Sequence, residues 1–299
     1  MSWRQTDNNV WEFSGSNLPD PKAYSFFPIA LPEHRNARIR FSVTFNGGPT
    51  HFHAALCFRR IDEQRCYGVG LGGWAGQFSY FQRSELGFQR SFFGDERAIQ
   101  PNRDYEFEIQ YRGNRIEHFR LLGTHTIQLI STSVLPNAYM RGGLALYGYG
   151  GPTQAKLKIL DYEDLGLRAF MICRIDGGQK KKYLQIRRIL KRHGVALELF
   201  HGETIETYPG LMRSILGKML ECDFSISWFT KALRPNVAYE TGIAHALNIP
   251  TIHIIDNIKK LPSDLGSQFF VTEKDLSKKL PMDVAAILKK EINDVRYLL

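Results

Sequence analysis

Glu240 is the residue whose type and position most clearly suggest chemistry in this sequence. In the segment 236–248, the apolar residues Val237, Ala244 and Leu247 recur at the spacing of one helix face. Glu240 falls on the same stripe, although moving a carboxylate out of water costs free energy. The pattern therefore predicts a helix that turns a carboxylate towards the interior of its domain.

The start of this helix supplies a partner for the carboxylate. Asn236 follows Pro235, is predicted as the N-cap, and lies four residues before Glu240, so both side chains share a helix face. Because the helix dipole favours a negative side chain in the first turns, we expect Glu240 to be ionised and partly buried. A side-chain amide can orient a hydroxyl group of a ribose while the neighbouring carboxylate faces the same sugar. A carboxylate can stabilise or attack the anomeric carbon that becomes positive when an N-glycosidic bond breaks.

The elements that position Glu240 are predicted from the spacing of apolar residues, which changes near residue 166 from the period of strands alone to alternating strand and helix periods. Strands are predicted at 169–173, 195–200, 224–228 and 251–255, and helices at 181–193, 208–221, 236–248 and 282–297. Strands that alternate with helices form parallel βαβ units and a doubly wound sheet. Ligands of such sheets bind outside the carboxyl ends of the strands.

Further candidate binding residues follow from that rule. They lie at the predicted strand ends or at the start of the helix, where an arginine suits a phosphate and an aromatic ring can stack on the departing base. The predicted substrate-binding residues are Arg174, Asp176, His201, Trp228, Arg234, Asn236 and Tyr239.

In residues 1–165, apolar and polar residues alternate with the two-residue period of β-strands. The segments 38–45 and 105–111 alternate apolar and polar residues, and further strands are predicted at 54–59, 77–82, 116–121, 144–149 and 156–161. Many short strands without a helical period predict an antiparallel β-sandwich. The glycines between 68 and 73 are interpreted as turn and bulge glycines between strands, because no helix follows them as it would in a nucleotide-binding loop. His51 and His53 lack a third ligand, so no metal site is predicted.

Composition limits the class of protein. The chain has 299 residues with 43% apolar content, enough for two domains. No window of about 18 apolar residues predicts a membrane span, and residues 1–11 lack the apolar region of an export signal. Four scattered cysteines without a CxxC pair favour reduced thiols. We therefore expect a cytoplasmic protein without a membrane partner.

The formal charge of +9 is unevenly distributed. Residues 1–166 carry 18 Lys and Arg against 16 Asp and Glu, whereas the remainder carries 21 against 14. Much of the excess lies on the predicted helix 181–193 and its approach. The sequence favours a solvated helix face over a nucleic-acid surface there, because no aromatic residues that would stack on bases interleave with the charges.

The layout of residues 1–165 resembles the concanavalin A-like (laminin-G-like) jelly-roll family. The resemblance rests on the hairpin 58–70 with its YGVG run, the strand 105–111 followed by a Gly-Asn turn, and the late strand 142–147. It implies a β-sandwich domain whose loops often bind carbohydrate. No individual sugar-binding residue carries over, so a carbohydrate or protein partner is expected only at the level of the domain.

From about Ala169 onwards the sequence is similar to the nucleoside 2-deoxyribosyltransferase-like and TIR-like group of flavodoxin-type domains. The matching segments are FMIC at 170–173, CDFSIS at 222–227, PNVAYETGIAHAL at 235–247, IPTI at 249–252 and LPSDL at 261–265. The similarity implies an α/β domain over residues 166–299. In this group the glutamate of the central motif is the catalytic residue of N-glycosidic cleavage, and that role carries over to Glu240.

One departure bears on the substrate. Deoxyribosyltransferases have an aspartate about six residues before the catalytic glutamate, where this chain has Arg234, and this favours a phosphate-bearing substrate such as NAD over a free nucleoside. NAD or a nucleotide is thus the expected substrate, and no cofactor is implied. TIR-like members hydrolyse NAD, often as effectors of bacterial antiviral defence. They often act only when assembled, so a homo-oligomer is expected on activation, with the β-sandwich as sensor or assembly module.

Two alternatives stay open. The first is a nucleoside 2-deoxyribosyltransferase. The second is a non-enzymatic nucleotide- or glycan-binding module, in which Glu240 is a buried carboxylate paired with Arg174 or Arg234.

Overall fold

The chain divides into two compact units. In the computed structural model, the described residues are 2–15, 24–46, 52–73, 77–84, 87–93, 99–123, 127–134, 140–150, 154–174, 178–202, 211–229, 235–256 and 269–289. Unit 1 comprises Met1–Tyr111, Ile116–Ser133 and Arg141–Leu165, and unit 2 comprises Arg112–Arg115, Val134–Met140 and Gly166–Leu299.

Thirteen strands of the described residues form two antiparallel, jelly-roll-like sheets. One sheet has the order β1-β2-β13-β4-β9-β10-β11, and the other has the order β3-β12-β5-β6-β7-β8. The strands are β1 Ser2–Asp7, β2 Val10–Ser14, β3 Tyr24–Ile29, β4 Ala37–Asn46, β5 Phe52–Arg60, β6 Cys66–Gly73, β7 Gln77–Ser84, β8 Gly87–Phe93, β9 Tyr105–Arg112, β10 Arg115–Leu121, β11 Ile127–Val134, β12 Gly143–Gly150 and β13 Gln154–Asp164.

The core of unit 1 lies between these sheets. The apolar residues of β4 are buried, as the alternation of the segment 38–45 predicted. Rings from the two sheets stack on one another, with ring centroids 4.6 Å apart for Phe45 and Phe52 and 5.1 Å apart for Phe58 and Tyr111. The predicted antiparallel architecture is therefore confirmed, although the strands β1–β3, β8 and β11 were not predicted.

The interpretation of the glycines at 68–73 as turn residues between strands is wrong. They lie within β6, where a Cβ atom on Gly68 would collide with the ring of Phe81 and one on Gly70 with the main chain of β5. These glycines let neighbouring chains approach closely. The imidazole of His53 is hydrogen-bonded to the Ser79 hydroxyl at 2.5 Å, and His51 lies outside the described residues.

Unit 2 contains a parallel sheet of five strands in the order β15-β14-β16-β17-β18. A short 3₁₀ turn, Glu273–Asp275, precedes the last helix. The elements are β14 Leu167–Ile172, α1 Gln179–Arg192, β15 Leu197–His201, α2 Leu211–Leu220, β16 Phe224–Trp228, α3 Pro235–Ala246, β17 Thr251–Ile255, β18 Phe269–Thr272 and α4 Leu276–Lys289.

Helices cover both faces of this sheet. α1 and α4 pack on one face against Met171, Phe224 and Ile254, and α2 and α3 pack on the other against Phe170 and Ile172. The predicted alternation of strands and helices is confirmed, with β18 as an additional strand and α4 beginning six residues earlier than predicted. No helix of the described residues is long and apolar enough to cross a membrane.

Candidate functional site

α3 carries Glu240 and begins at Pro235. Proline is favoured at the first position of a helix because its missing N–H would have no partner there. Asn236 is therefore the second helical residue, and its prediction as N-cap is wrong. Val237 and Ala244 are buried against the sheet, as predicted from their spacing.

The Glu240 carboxyl group is half-buried and has no hydrogen bond or ion pair with any residue that the structure describes. Burial raises the pKa of this carboxyl group to about 7. The expectation of an ionised carboxylate is thus corrected, because a group with this pKa is about half protonated at neutral pH. The helix dipole does not offset burial, since Glu240 is the sixth residue of α3 and the dipole acts mainly within the first turn.

Two other predicted residues lie on α3. Asn236 is exposed one turn before Glu240, on the same side of the helix. Tyr239, next to Glu240, is 60% exposed. Both side chains are accessible to a ligand at the start of α3.

Three predicted residues lie at the carboxyl ends of neighbouring strands. His201 ends β15 and pairs with Met171, Trp228 ends β16, and Arg174 follows β14 by two residues. The strands are in parallel register, so these ends meet at one edge of the sheet. The predicted edge is therefore present.

Two of these residues, Trp228 and His201, have contacts on the face of the sheet that α1 covers. Trp228 is 3% exposed and belongs to the core beneath α1 and α4, where its indole N–H donates to the Glu273 carboxylate at 2.8 Å. Its ring lies 5.3 Å from the ammonium of Lys182, and the His201 imidazole lies edge-on to the ring of Tyr183 on α1 at 5.4 Å. Trp228 thus faces away from the side on which α3 packs, and its position argues against the predicted stacking on a base beside Glu240.

Asp176 and Arg234 lie outside the described residues, and their roles stay predictions. Arg174 is half-buried and has contacts of its own. Its contribution to a phosphate site likewise stays a prediction.

A cluster of polar residues between α3 and the sheet was not predicted. The Ser227 hydroxyl lies 2.5 Å from Nδ1 of His253 on the next strand, and the rings of His253 and His245 meet edge-on at 5.4 Å. We call this the buried polar cluster; its members are Ser225, Ser227, Thr241, His245, Thr251 and His253. The one signal in the sequence is the alternation in β16, where serines interrupt a strand that is buried on both faces.

Three atoms of the buried polar cluster have no hydrogen-bond partner among the described residues: Nε2 of His245, Nε2 of His253 and Oγ1 of Thr241. Burial lowers the pKa of His245. Burial, together with His245, lowers the pKa of His253 to about 3. Both imidazoles are therefore neutral at physiological pH. No group of three or more His, Cys, Asp or Glu in the described part of the chain is placed to hold a metal ion.

Unit 1 contains a cavity of about 400 Å³. Its lining is polar and apolar in about equal parts and comes from β2, β4 and β13, together with Asp104 just before β9. Its polar side chains include those of Glu12, Thr44, Asp104, Gln154 and Lys156.

No known protein family matches the sequence, and no curated protein matches it. Solved structures that match in part include the carbohydrate-binding module CBM66 from Bacillus subtilis, with 14% identity, a TM-score of 0.38, and coverage of 54% of this chain and 91% of the module. The CMP N-glycosidase BcmB from Clostridium botulinum has 16% identity and a TM-score of 0.31 over 40% of this chain and 98% of that protein. The galectin LEC-6 from Caenorhabditis elegans has 16% identity and a TM-score of 0.29 over 53% of this chain and 100% of that protein. Similarities of this size establish neither a family nor an activity.

Proposed function

We propose that unit 2 is an N-glycosidase that cleaves the bond between ribose and base in NAD or a related nucleotide, with Glu240 at the reacting sugar. One observation supports this most: Glu240 is half-buried on α3, without a partner among the described residues, and its pKa is raised to about 7. A carboxylate kept for structure is normally paired. An unpaired, partly desolvated carboxylate with a raised pKa is typical of a functional site.

In the proposed reaction, the bond between the anomeric carbon and the base breaks, and its electron pair leaves with the base. Positive charge then develops on the sugar, where the Glu240 anion stabilises it. The oxygen of a water molecule bonds to the anomeric carbon, and the water releases a proton. With NAD the products are nicotinamide, which leaves neutral because its ring nitrogen was cationic, and ADP-ribose.

The remaining site residues bind the substrate in this proposal. The exposed ring of Tyr239 stacks on the base, which leaves Trp228 to the core. The amide of Asn236 binds ribose hydroxyls. The arginines at 174 and 234 bind phosphate, with Asp176 and His201 at the same edge.

At the level of the whole chain, we propose a concanavalin A-like domain over 1–165 and a flavodoxin-like, TIR-like domain over 166–299. The strand order of the parallel sheet supports the second assignment, because it is the order of flavodoxin-like folds. We further propose a cytoplasmic effector of antiviral defence that assembles into a homo-oligomer, with the β-sandwich as sensor or assembly module. We place a carbohydrate or another polar partner at the cavity of unit 1, whose hydroxyl, amide and charged side chains can hydrogen-bond to it.

The test compares wild type with Glu240→Gln on NAD, NADP, CMP and 2-deoxynucleosides, with base release followed by mass spectrometry. Wild type is expected to release base, and the variant to lose at least 100-fold in rate. Equal rates would end the assignment of Glu240. A second base in the reaction separates hydrolysis from transfer, since a deoxyribosyltransferase exchanges bases on deoxynucleosides and needs no phosphate. Tight binding of a nucleotide without turnover would instead support the non-enzymatic alternative.

The pH dependence supplies an independent check. Because the anion is the active form, the rate is expected to rise with pH and to be half-maximal near pH 7. A rate that is flat between about pH 5 and 9 would contradict the role of Glu240.

A further inference from the structure

The outer side of α1 carries a concentration of positive charge. The helix QKKKYLQIRRILKR contains seven Lys and Arg and no acidic residue. Ile186, Ile189 and Leu190 pack into the core, so the charged residues occupy the opposite side. We call six exposed side chains of α1 the basic face: Lys180, Lys181, Arg187, Arg188, Lys191 and Arg192.

No side chain of the basic face forms an ion pair or hydrogen bond with another described residue. α4 packs on the same face of the sheet and adds the exposed Lys278 and Lys279. A surface built only for solubility normally mixes both signs of charge. This surface has an excess of cations that the described part of unit 2 does not neutralise.

The spacing of the charges destabilises α1 when no polyanion is bound. Arg187 and Lys191 are four residues apart, as are Arg188 and Arg192, and like charges at this spacing destabilise a helix. The helix dipole favours cations only in the last turn, which accounts for Lys191 and Arg192 but not for the other four. An external polyanion would remove the repulsion along the whole helix.

We propose that the basic face binds the phosphate backbone of duplex nucleic acid. The 14 residues of α1 span about 21 Å. A duplex presents one negative charge per roughly 1.7 Å of its axis, so it offers a phosphate to each cation. Arginine guanidinium groups, three of the six, suit phosphate oxygens in geometry as well as charge.

Other partners fit the same surface less well. Single-stranded nucleic acid is bound largely by stacking on aromatic rings, and the exposed side of α1 has none. Protein interfaces are enriched in aromatic residues and arginine and depleted of lysine, so the three arginines of the basic face suit one, but its three lysines and its lack of aromatic rings do not. A membrane-surface helix buries its apolar side in lipid, whereas that side of α1 packs on the sheet and only Leu184 is exposed. The sequence alone favoured a solvated helix face over a nucleic-acid surface. Because the structure shows these charges unpaired among the described residues, we now favour the nucleic-acid surface.

The test measures fluorescence anisotropy of a labelled, mixed-sequence DNA duplex with the full chain, between about 50 and 200 mM NaCl. Arg188→Gln with Arg192→Gln is expected to weaken binding roughly tenfold or more at physiological salt. It should also reduce the salt slope of log K by about 1.8, or about 0.9 for each phosphate contact. The matched control is Arg4→Gln with Lys158→Gln, two exposed cations of β1 and β13 whose loss changes the net charge equally. It is expected to bind like wild type.

Arg188→Glu separates binding from folding. It places a glutamate four residues before Arg192, in the orientation that stabilises a helix, so thermal denaturation is expected to show equal or higher stability while duplex binding falls. Matched RNA and DNA duplexes distinguish the two sources of the same backbone. Unchanged binding by the double variant, equal loss in the control, or tighter binding to phosphatidylserine vesicles than to duplex would overturn the proposal.

Discussion

Replacing Glu240 by glutamine is expected to stabilise unit 2 at alkaline pH. Burial raises the pKa of this carboxyl group from 4.5 to about 7, so the folded protein holds the proton more tightly than the unfolded chain. Between these pH values the folded state binds more protons, and the free energy of unfolding falls as the pH rises. Above pH 7 the cost of the partly buried charge is present, at no more than about 3 kcal/mol because solvent screens a half-buried carboxylate. Glutamine has nearly the same shape without that charge.

The measurement is urea denaturation at about pH 4.5 and pH 8, followed by the helical circular-dichroism signal. α1 to α4 all lie in unit 2, so this signal reports the unit that contains Glu240. The variant and wild type are expected to differ little at the lower pH. At the higher pH the variant should be more stable by up to about 3 kcal/mol, because only wild type then buries a charge.

Glu221→Gln is the matched control. The Glu221 carboxylate is 16% exposed and lies 2.9 Å from the Arg168 guanidinium and 3.4 Å from the Lys218 ammonium. Removing its charge takes the carboxylate away from the Lys218 ammonium and leaves the Arg168 guanidinium with Glu198 alone, so the control is expected to lose stability at pH 8. The reasoning about Glu240 is refuted if Glu240→Gln also destabilises unit 2 at pH 8, or changes stability equally at both pH values. Either result would mean that the charge of Glu240 is compensated in the folded protein.

Four further predictions follow from burial, close approach and open space. Thr241→Val is expected to raise the free energy of unfolding by about 1–3 kcal/mol in urea, because it removes a buried hydroxyl that has no partner among the described residues. With Glu240 already replaced by glutamine, so that its opposite pH dependence is removed, unit 2 is expected to lose stability as the pH falls from about 6.5 towards 3, because the unfolded chain protonates at His253 before the folded protein does; an equally steep loss after adding His253→Gln would contradict this. Gly70→Ala is expected to destabilise unit 1 by about 1–3 kcal/mol, because the methyl group would overlap a main-chain carbonyl of β5. In calorimetry, Gly217→Ala on α2 should instead gain about 0.5–1 kcal/mol, since open space surrounds that position.

The sequence alone determined most elements near the site. Periodicity predicted β16 and β17 with their observed bounds, and it predicted both ends of α3 to within two residues of the observed ends. It succeeded because the side-chain pattern directly reflects which face of an element is buried. It also placed Glu240 on the apolar stripe of α3, and the structure shows this side chain half-buried. The alternation of strands and helices further predicted a parallel sheet, whose carboxyl edge carries Arg174, His201 and Trp228.

Only the tertiary structure decided what surrounds these residues. The position of a residue at the end of a strand predicts that it lies at the edge of the sheet. Which helix its side chain contacts depends on which helices cover each face, and in the structure the indole of Trp228 lies beneath α1 and α4. The pKa of Glu240 is raised by burial, and no local pattern reveals how far other segments bury a side chain. The buried polar cluster likewise joins His245 of α3 to Ser227 and His253 of neighbouring strands, so it exists only once the layers pack.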